Sequence, residues 1–169
     1  ERSPAWGKAL ASSLRVSNLV EAYGHIDRMV EYYRARSFDI ADYHAALRLV
    51  LAAVLQAVEE LEIPEDELFS QDADPFAELR RLKSLDEVRS YFAALAESVV
   101  AYTGARQENF AVTKVREALE YLETHYADPE LSLQTLCKEL FISTSYLSAN
   151  LKKHHERTFV EELTDLRIR

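Results

Sequence analysis

Apolar residues recur at alternating three- and four-residue intervals along most of this chain, which is the spacing of one helical face. Leu19, Tyr23, Ile26, Val30 and Tyr33 form the first such run. Gly24 falls inside it, so the run predicts either a helix ending there and a second one over 25–36, or one bent helix. Leu47, Val50, Leu51, Val54, Leu55, Val58 and Leu61 give a broader stripe, expected to be the central helix of a first domain. Leu85, Val88, Phe92, Leu95, Val99 and Tyr102 follow at 3-4-3-4-3 spacing, and Val112, Val115, Leu119, Leu122 and Tyr126 repeat it. Two shorter stripes close the chain: Leu133, Leu136 and Leu140, then Leu147 and Leu151.

Polar residues punctuate these runs. Asp39 to Asp42 offers caps for the central helix, and Pro64 ends it. An acidic, turn-rich connection over Ile63 to Pro75 leads to a short helix over Phe76 to Leu82. Ser84 with Glu87 and Thr158 with Glu161 have capping-box spacing, while Ser132 and Ser143 are natural N-caps. Gly104 to Asn109 is a polar break, expected to separate two helices and two domains, about 8–106 and 110–169. Asp128-Pro129 is a turn. Glu1 to Gly7 is expected to be a loose lead-in whose Trp6 docks on a neighbour.

The fold class expected is all-α: a helical connector bundle, then a three-to-four-helix subdomain. Three glycines and four prolines leave little turn chemistry for a β fold. One cysteine, Cys137, excludes an internal disulfide and suits a reducing, cytoplasmic setting. No apolar run approaches the ~20 residues of a membrane span, and no secretory pattern opens the chain. Without a starting Met, a fragment of a longer protein is expected.

Net charge is −9 over 169 residues, which disfavours wholesale nucleic-acid binding. Residues 1–109 hold 12 Lys+Arg against 19 Asp+Glu, and residues 110–169 hold 8 against 10. Any affinity for DNA must therefore come from a local patch. The Leu85–Tyr102 stripe spans nearly three heptads, so it packs within its own domain or forms the seam of a homodimer.

The last 40 residues carry the most specific pattern. A helix over 133–140, a tight connection at Phe141-Ile142-Ser143 and a second helix over 144–155 have the form of a helix-turn-helix. The motif set is Val115-x-x-Ala118-x-x-Tyr121, His125-Tyr126, Leu131-Ser132-Leu133, Ile142-Ser143-x-Ser145-Tyr146-Leu147-Ser148, Lys152-Lys153, Thr158-Phe159 and Leu166-Arg167-Ile168. It resembles the first half of an AraC-type DNA-binding domain. Residues 10–109 more faintly resemble the helical middle region of YesN-like response regulators. The resemblance implies a transcription regulator binding double-stranded DNA, weakly for this piece alone, with a bundle relaying a signal from an input domain outside this sequence.

By that resemblance the recognition helix is Thr144 to Lys153. Ser145, Ser148 and Ala149 would read base edges. Ser143, Thr144, Tyr146, Lys152 and Lys153 would reach phosphates. Cys137 stands where the family has a small alanine. Glu156 stands where the family has glycine, a position suited to left-handed backbone. Asn150, Leu151 and Glu162 also depart from the family pattern.

Rival readings are a protein-interaction or dimerisation module with a degenerate helix-turn-helix, or a small-ligand sensor lined by Tyr32, Tyr33, Tyr43, Tyr91 and Tyr102. No phosphate loop, paired metal ligands or nucleophile elbow is present, so no enzyme, cofactor or metal is expected. His154 and His155 are adjacent, and on a helix they point about 100° apart, too far to chelate one ion.

Overall fold

A computed structural model describes residues 5–169, and the described residues are all-helical. Of the expected lead-in, residues 1–4 lie outside the described residues, while Trp6 and Gly7 already belong to the first helix. Eight α-helices are described: α1 Trp6–Arg15, α2 Leu19–Arg34, α3 Ile40–Glu60, α4 Pro75–Arg81, α5 Leu85–His125, α6 Leu133–Glu139, α7 Thr144–His155 and α8 Phe159–Ile168. A single 3-10 turn, Glu65–Glu67, lies in the acidic connection. The chain divides into two compact units, 1–104 and 105–169.

In the first unit α1 packs on α2 and α3, and α4 on α3. Leu14, Ile26, Met29, Leu47, Leu51 and Val54 are buried at its centre, with Leu79 of α4 and Phe92 of α5. Among the described residues, α3 alone would pass as a membrane span by length and hydropathy, which counting uninterrupted apolar runs does not detect. Its Leu47, Val50, Leu51, Val54, Ala57 and Val58 are instead packed in this core.

The first helical break is not at Gly24, which sits inside α2. It lies at 16–18, where Ser17 takes a left-handed backbone (φ 53°) and Asn18 caps α2 by accepting the Glu21 N–H at 3.1 Å. The Ser17 N–H donates to the Leu14 carbonyl and the Asn18 N–H to that of Ser13, the paired bonds of a Schellman turn. The buried Thr103 hydroxyl lies 2.9 Å from that of Ser17 and satisfies it. α3 ends in the same way, with Glu62 at φ 55° and the Ile63 N–H donating to Val58.

Two expectations about α5 meet the structure differently. The first is the helix break at 104–109, which requires correction: α5 runs through it for 41 residues, although the two compact units divide at 104/105, inside the expected stretch. Gly104 costs about 1 kcal/mol in a helix interior, but Ala105, Arg106, Gln107 and Glu108 are strong helix formers that offset it. The second concerns the Leu85–Tyr102 stripe, left open between its own core and a dimer seam. Val88, Phe92, Leu95 and Val99 are buried in the core of their own unit, and Leu85 and Tyr102 pack against it. Coiled-coil spacing and core-facing spacing are the same pattern, and here the four central residues of the stripe are buried within their own unit. The start of α5 also differs in detail: Ser84 Oγ accepts the Glu87 N–H at 3.1 Å, but Glu87 reaches back to the N–H of Lys83 at 2.7 Å.

Leu95→Glu places a carboxylate where the side chain is 6% exposed. It should cost about 3 kcal/mol or more, read as a lowered urea midpoint by circular dichroism. Retained stability with a halved particle mass would restore the intermolecular seam.

Candidate nucleic-acid interface

The second unit is a small core around Leu122, Leu136, Leu147 and Leu151, each fully buried, joined by Val115, Ala118, Cys137 and Leu163. The inner stripe of α5 here is Ala111, Val115, Ala118 and Leu122. Val112 and Tyr126, read as part of that stripe, are exposed.

Each short helix is capped by its own sequence. Ser132 Oγ accepts the Thr135 N–H at 3.2 Å, and Thr135 Oγ1 accepts the Ser132 N–H at 2.9 Å, a capping box built on threonine. The Phe141 N–H donates to Lys138 and the Ile142 N–H to Cys137, closing the turn between α6 and α7. That turn forces Phe141 into left-handed backbone (φ 55°) with its ring 94% exposed. Ser143 Oγ then accepts the Tyr146 N–H at 3.1 Å and starts α7. Thr158 and Glu161 exchange the two bonds of a capping box at the start of α8. These bonds hold the Glu161 carboxyl below its usual range. Arg167 of α8 donates to the carbonyls of Tyr126 and Asp128, both at 2.8 Å, tying α8 to the end of α5.

Leu147 and Leu151 bury one face of α7, and this decides what the other face shows. At about 100° per residue, Ser145, Ser148, Ala149 and Lys152 share an arc of roughly 100° on the opposite side. All four are exposed. Two serines and an alanine make this strip low and polar, so another surface can approach the helix closely. The Lys152 ammonium donates to the Glu156 carbonyl at 3.3 Å and has no carboxylate partner among the described residues.

The remaining predicted contacts are placed less freely. Thr144 is half-buried, and the Ser143 oxygen is engaged in its cap. Tyr146 is half-buried, with its ring 6.2 Å from that of Phe110 on α5. Lys153 is held in an ion pair with Glu108 at 2.7 Å, and this bond holds the Glu108 carboxyl below its usual range. Glu108 was missed in the sequence because it lies in the presumed break, and Phe110 follows directly after it. Counting back three residues from Ala111 places the exposed Glu108 one turn before the inner stripe, and that was the available signal.

The two histidines diverge. His154 Nε2 lies 3.5 Å from Glu108, enclosed and without a hydrogen bond, and His155 Nε2 lies 3.0 Å from Glu162. Among the described residues no three His, Cys, Asp or Glu side chains gather to hold a metal ion. Cys137 is buried, which pushes its thiol pKa up, and its Sγ lies 3.7 Å from the Ser143 carbonyl. It packs the turn and is not activated as a nucleophile.

Compared with family models, curated proteins and solved structures, the chain matches none of them.

Glu156 ends α7 in left-handed backbone, φ 59° and ψ 11°. This conformation costs a residue with a Cβ about 1 kcal/mol relative to glycine. Glu156→Gly should therefore raise stability by about that amount in a urea titration. An unchanged or lower midpoint would mean that the turn carries no such strain.

Proposed function

We propose that the second unit binds double-stranded DNA as a helix-turn-helix, with α7 in the major groove, and that the protein is a transcription regulator of the AraC type. The observation that carries this reading is the exposed strip Ser145, Ser148, Ala149 and Lys152 on a helix whose other face is locked by Leu147 and Leu151. A recognition helix needs a slim outer face with hydrogen-bonding groups and a fixed inner one. Ser145 and Ser148 would meet base edges, Ala149 a thymine methyl group, and Lys152 a phosphate. The AraC-like residues quoted from the sequence support the same reading. The first unit would then serve as the relay that couples this helix to an input signal.

Affinity is expected to be low, because the strip carries a single lysine, which gives little electrostatic attraction. A second reading, a protein-interaction module, is favoured by the ion pair that occupies Lys153 and by the net charge of −9.

Fluorescence anisotropy of a labelled DNA duplex, titrated with the whole chain at several salt concentrations, separates the two. Binding should weaken steeply as salt rises, through counterion release. Lys152→Gln should lower affinity and flatten the salt slope by about one phosphate contact. Glu108→Gln should free Lys153, strengthen binding and steepen the slope by a similar amount. No binding at low salt, or binding indifferent to both substitutions, would overturn the DNA reading in favour of the interaction module.

A further inference from the structure

The loop between α2 and α3 and the connection between α4 and α5 leave an open cleft of about 530 Å³ in the first unit. Its inner wall is aromatic. The Tyr33 ring packs edge-on against Phe38 at 4.9 Å and against Tyr43 at 5.2 Å, and all three line the cleft. Burial pushes the Tyr43 hydroxyl pKa up. Of the five tyrosines suspected from the sequence, only Tyr33 and Tyr43 line this cleft. Tyr91 instead donates to the Pro75 carbonyl at 3.2 Å, and burial pushes its hydroxyl up to about 12.

The polar lining is one-sided. Arg36, Lys83 and His44 line the cleft, and no carboxylate does. This is unexpected in a region where residues 1–109 hold 19 acidic side chains against 12 basic ones. Besides Asp42, which precedes Tyr43, three carboxylates close to the cleft in sequence have partners of their own. Asp39 accepts the Ala41 N–H at 2.7 Å, Asp86 pairs with Arg34 at 2.8 Å, and Glu87 accepts the Lys83 N–H at 2.7 Å. Neither Arg36 nor Lys83 forms an ion pair among the described residues. The Arg36 guanidinium is held 4.1 Å over the Tyr32 ring, which orders it while leaving its donors free. The start of α5, at Ser84 and Leu85, also lines the cleft, while the Asp86 and Glu87 carboxylates of its first turn are not among the lining residues.

We propose that this cleft binds a small planar organic anion, an aromatic carboxylate, with its ring against Tyr33, Phe38 and Tyr43 and its carboxylate between Arg36 and Lys83. Ligand sites of this size are mostly apolar, with a few converging polar groups that fix orientation. Here the apolar groups are flat rings and the converging charged groups are cations. A two-ring acid suits the volume better than a single ring. The site is independent of the DNA reading, because it lies wholly within the first unit.

Isothermal titration calorimetry of the whole chain with 2-naphthoate tests it, with 2-naphthamide as a neutral probe of the same shape. Naphthoate should bind saturably at one site, and naphthamide about tenfold more weakly, the cost of one lost charge-assisted contact. Arg36→Gln combined with Lys83→Gln should bring naphthoate down to the affinity of naphthamide. Both residues are surface cations without ion pairs, so thermal melts of this variant should match the parent. Tyr43→Phe, which keeps the ring, should leave binding within about twofold. Equal binding of the acid and the amide would overturn the anion site, as would a full-strength response in the double variant. Absence of saturable binding would overturn the cleft as a ligand site of this class altogether. DNA binding, measured separately, is expected to be unchanged in the double variant.

Discussion

Burial of Leu147 and Leu151 is the constraint on which the second unit depends. These two side chains sit one turn apart and are fully enclosed, so α7 cannot rotate about its axis without exposing them. Each fully buried leucine contributes roughly 2 kcal/mol of transfer free energy, far more than any surface contact of the helix. The orientation of Ser145, Ser148, Ala149 and Lys152 follows from that burial. The caps at Ser132, Ser143 and Thr158 then set where each helix begins, and Arg167 closes α8 onto the carbonyls that end α5.

A second constraint runs through both units. The chain turns sharply at Ser17, Glu62, Phe141 and Glu156, each in left-handed backbone and none a glycine. At the first three the paired hydrogen bonds of the turn are present, so the strain is offset by satisfied carbonyls and by the apolar residues on either side. The described glycines sit elsewhere, and none has a positive φ. In Gly7 a Cβ would come within 2.9 Å of Ala53, so that glycine serves close approach of α1 to α3.

This explains which parts of the structure were legible in the sequence. Helical periodicity and side-chain caps identified α3, α4, α6, α7 and α8 to within a residue or two, because both signals are local. Of the two readings at Gly24, the continuous helix is the one present, and the break lies instead at Ser17, which takes the left-handed role a reader expects of glycine. The break expected at 104–109 failed for the complementary reason: helix formers after Gly104 outweighed its cost. The Leu85–Tyr102 stripe was correctly read as apolar, but periodicity cannot say whether a stripe faces its own core or a partner. At the candidate interface the outer strip of α7 was readable. The Lys153–Glu108 pair was not, since it joins residues 45 positions apart.

What α7 offers to a partner is therefore narrow: two serines, an alanine, one lysine, and a carboxylate at the helix end. Backbone amide shifts, followed by NMR as a DNA duplex is added to the whole chain at low salt, test this most directly. Binding through α7 predicts that the largest shifts cluster at 143–153, strongest at Ser145, Ser148, Ala149 and Lys152. Saturating shifts that leave this segment unmoved, or no shifts at all, would contradict it.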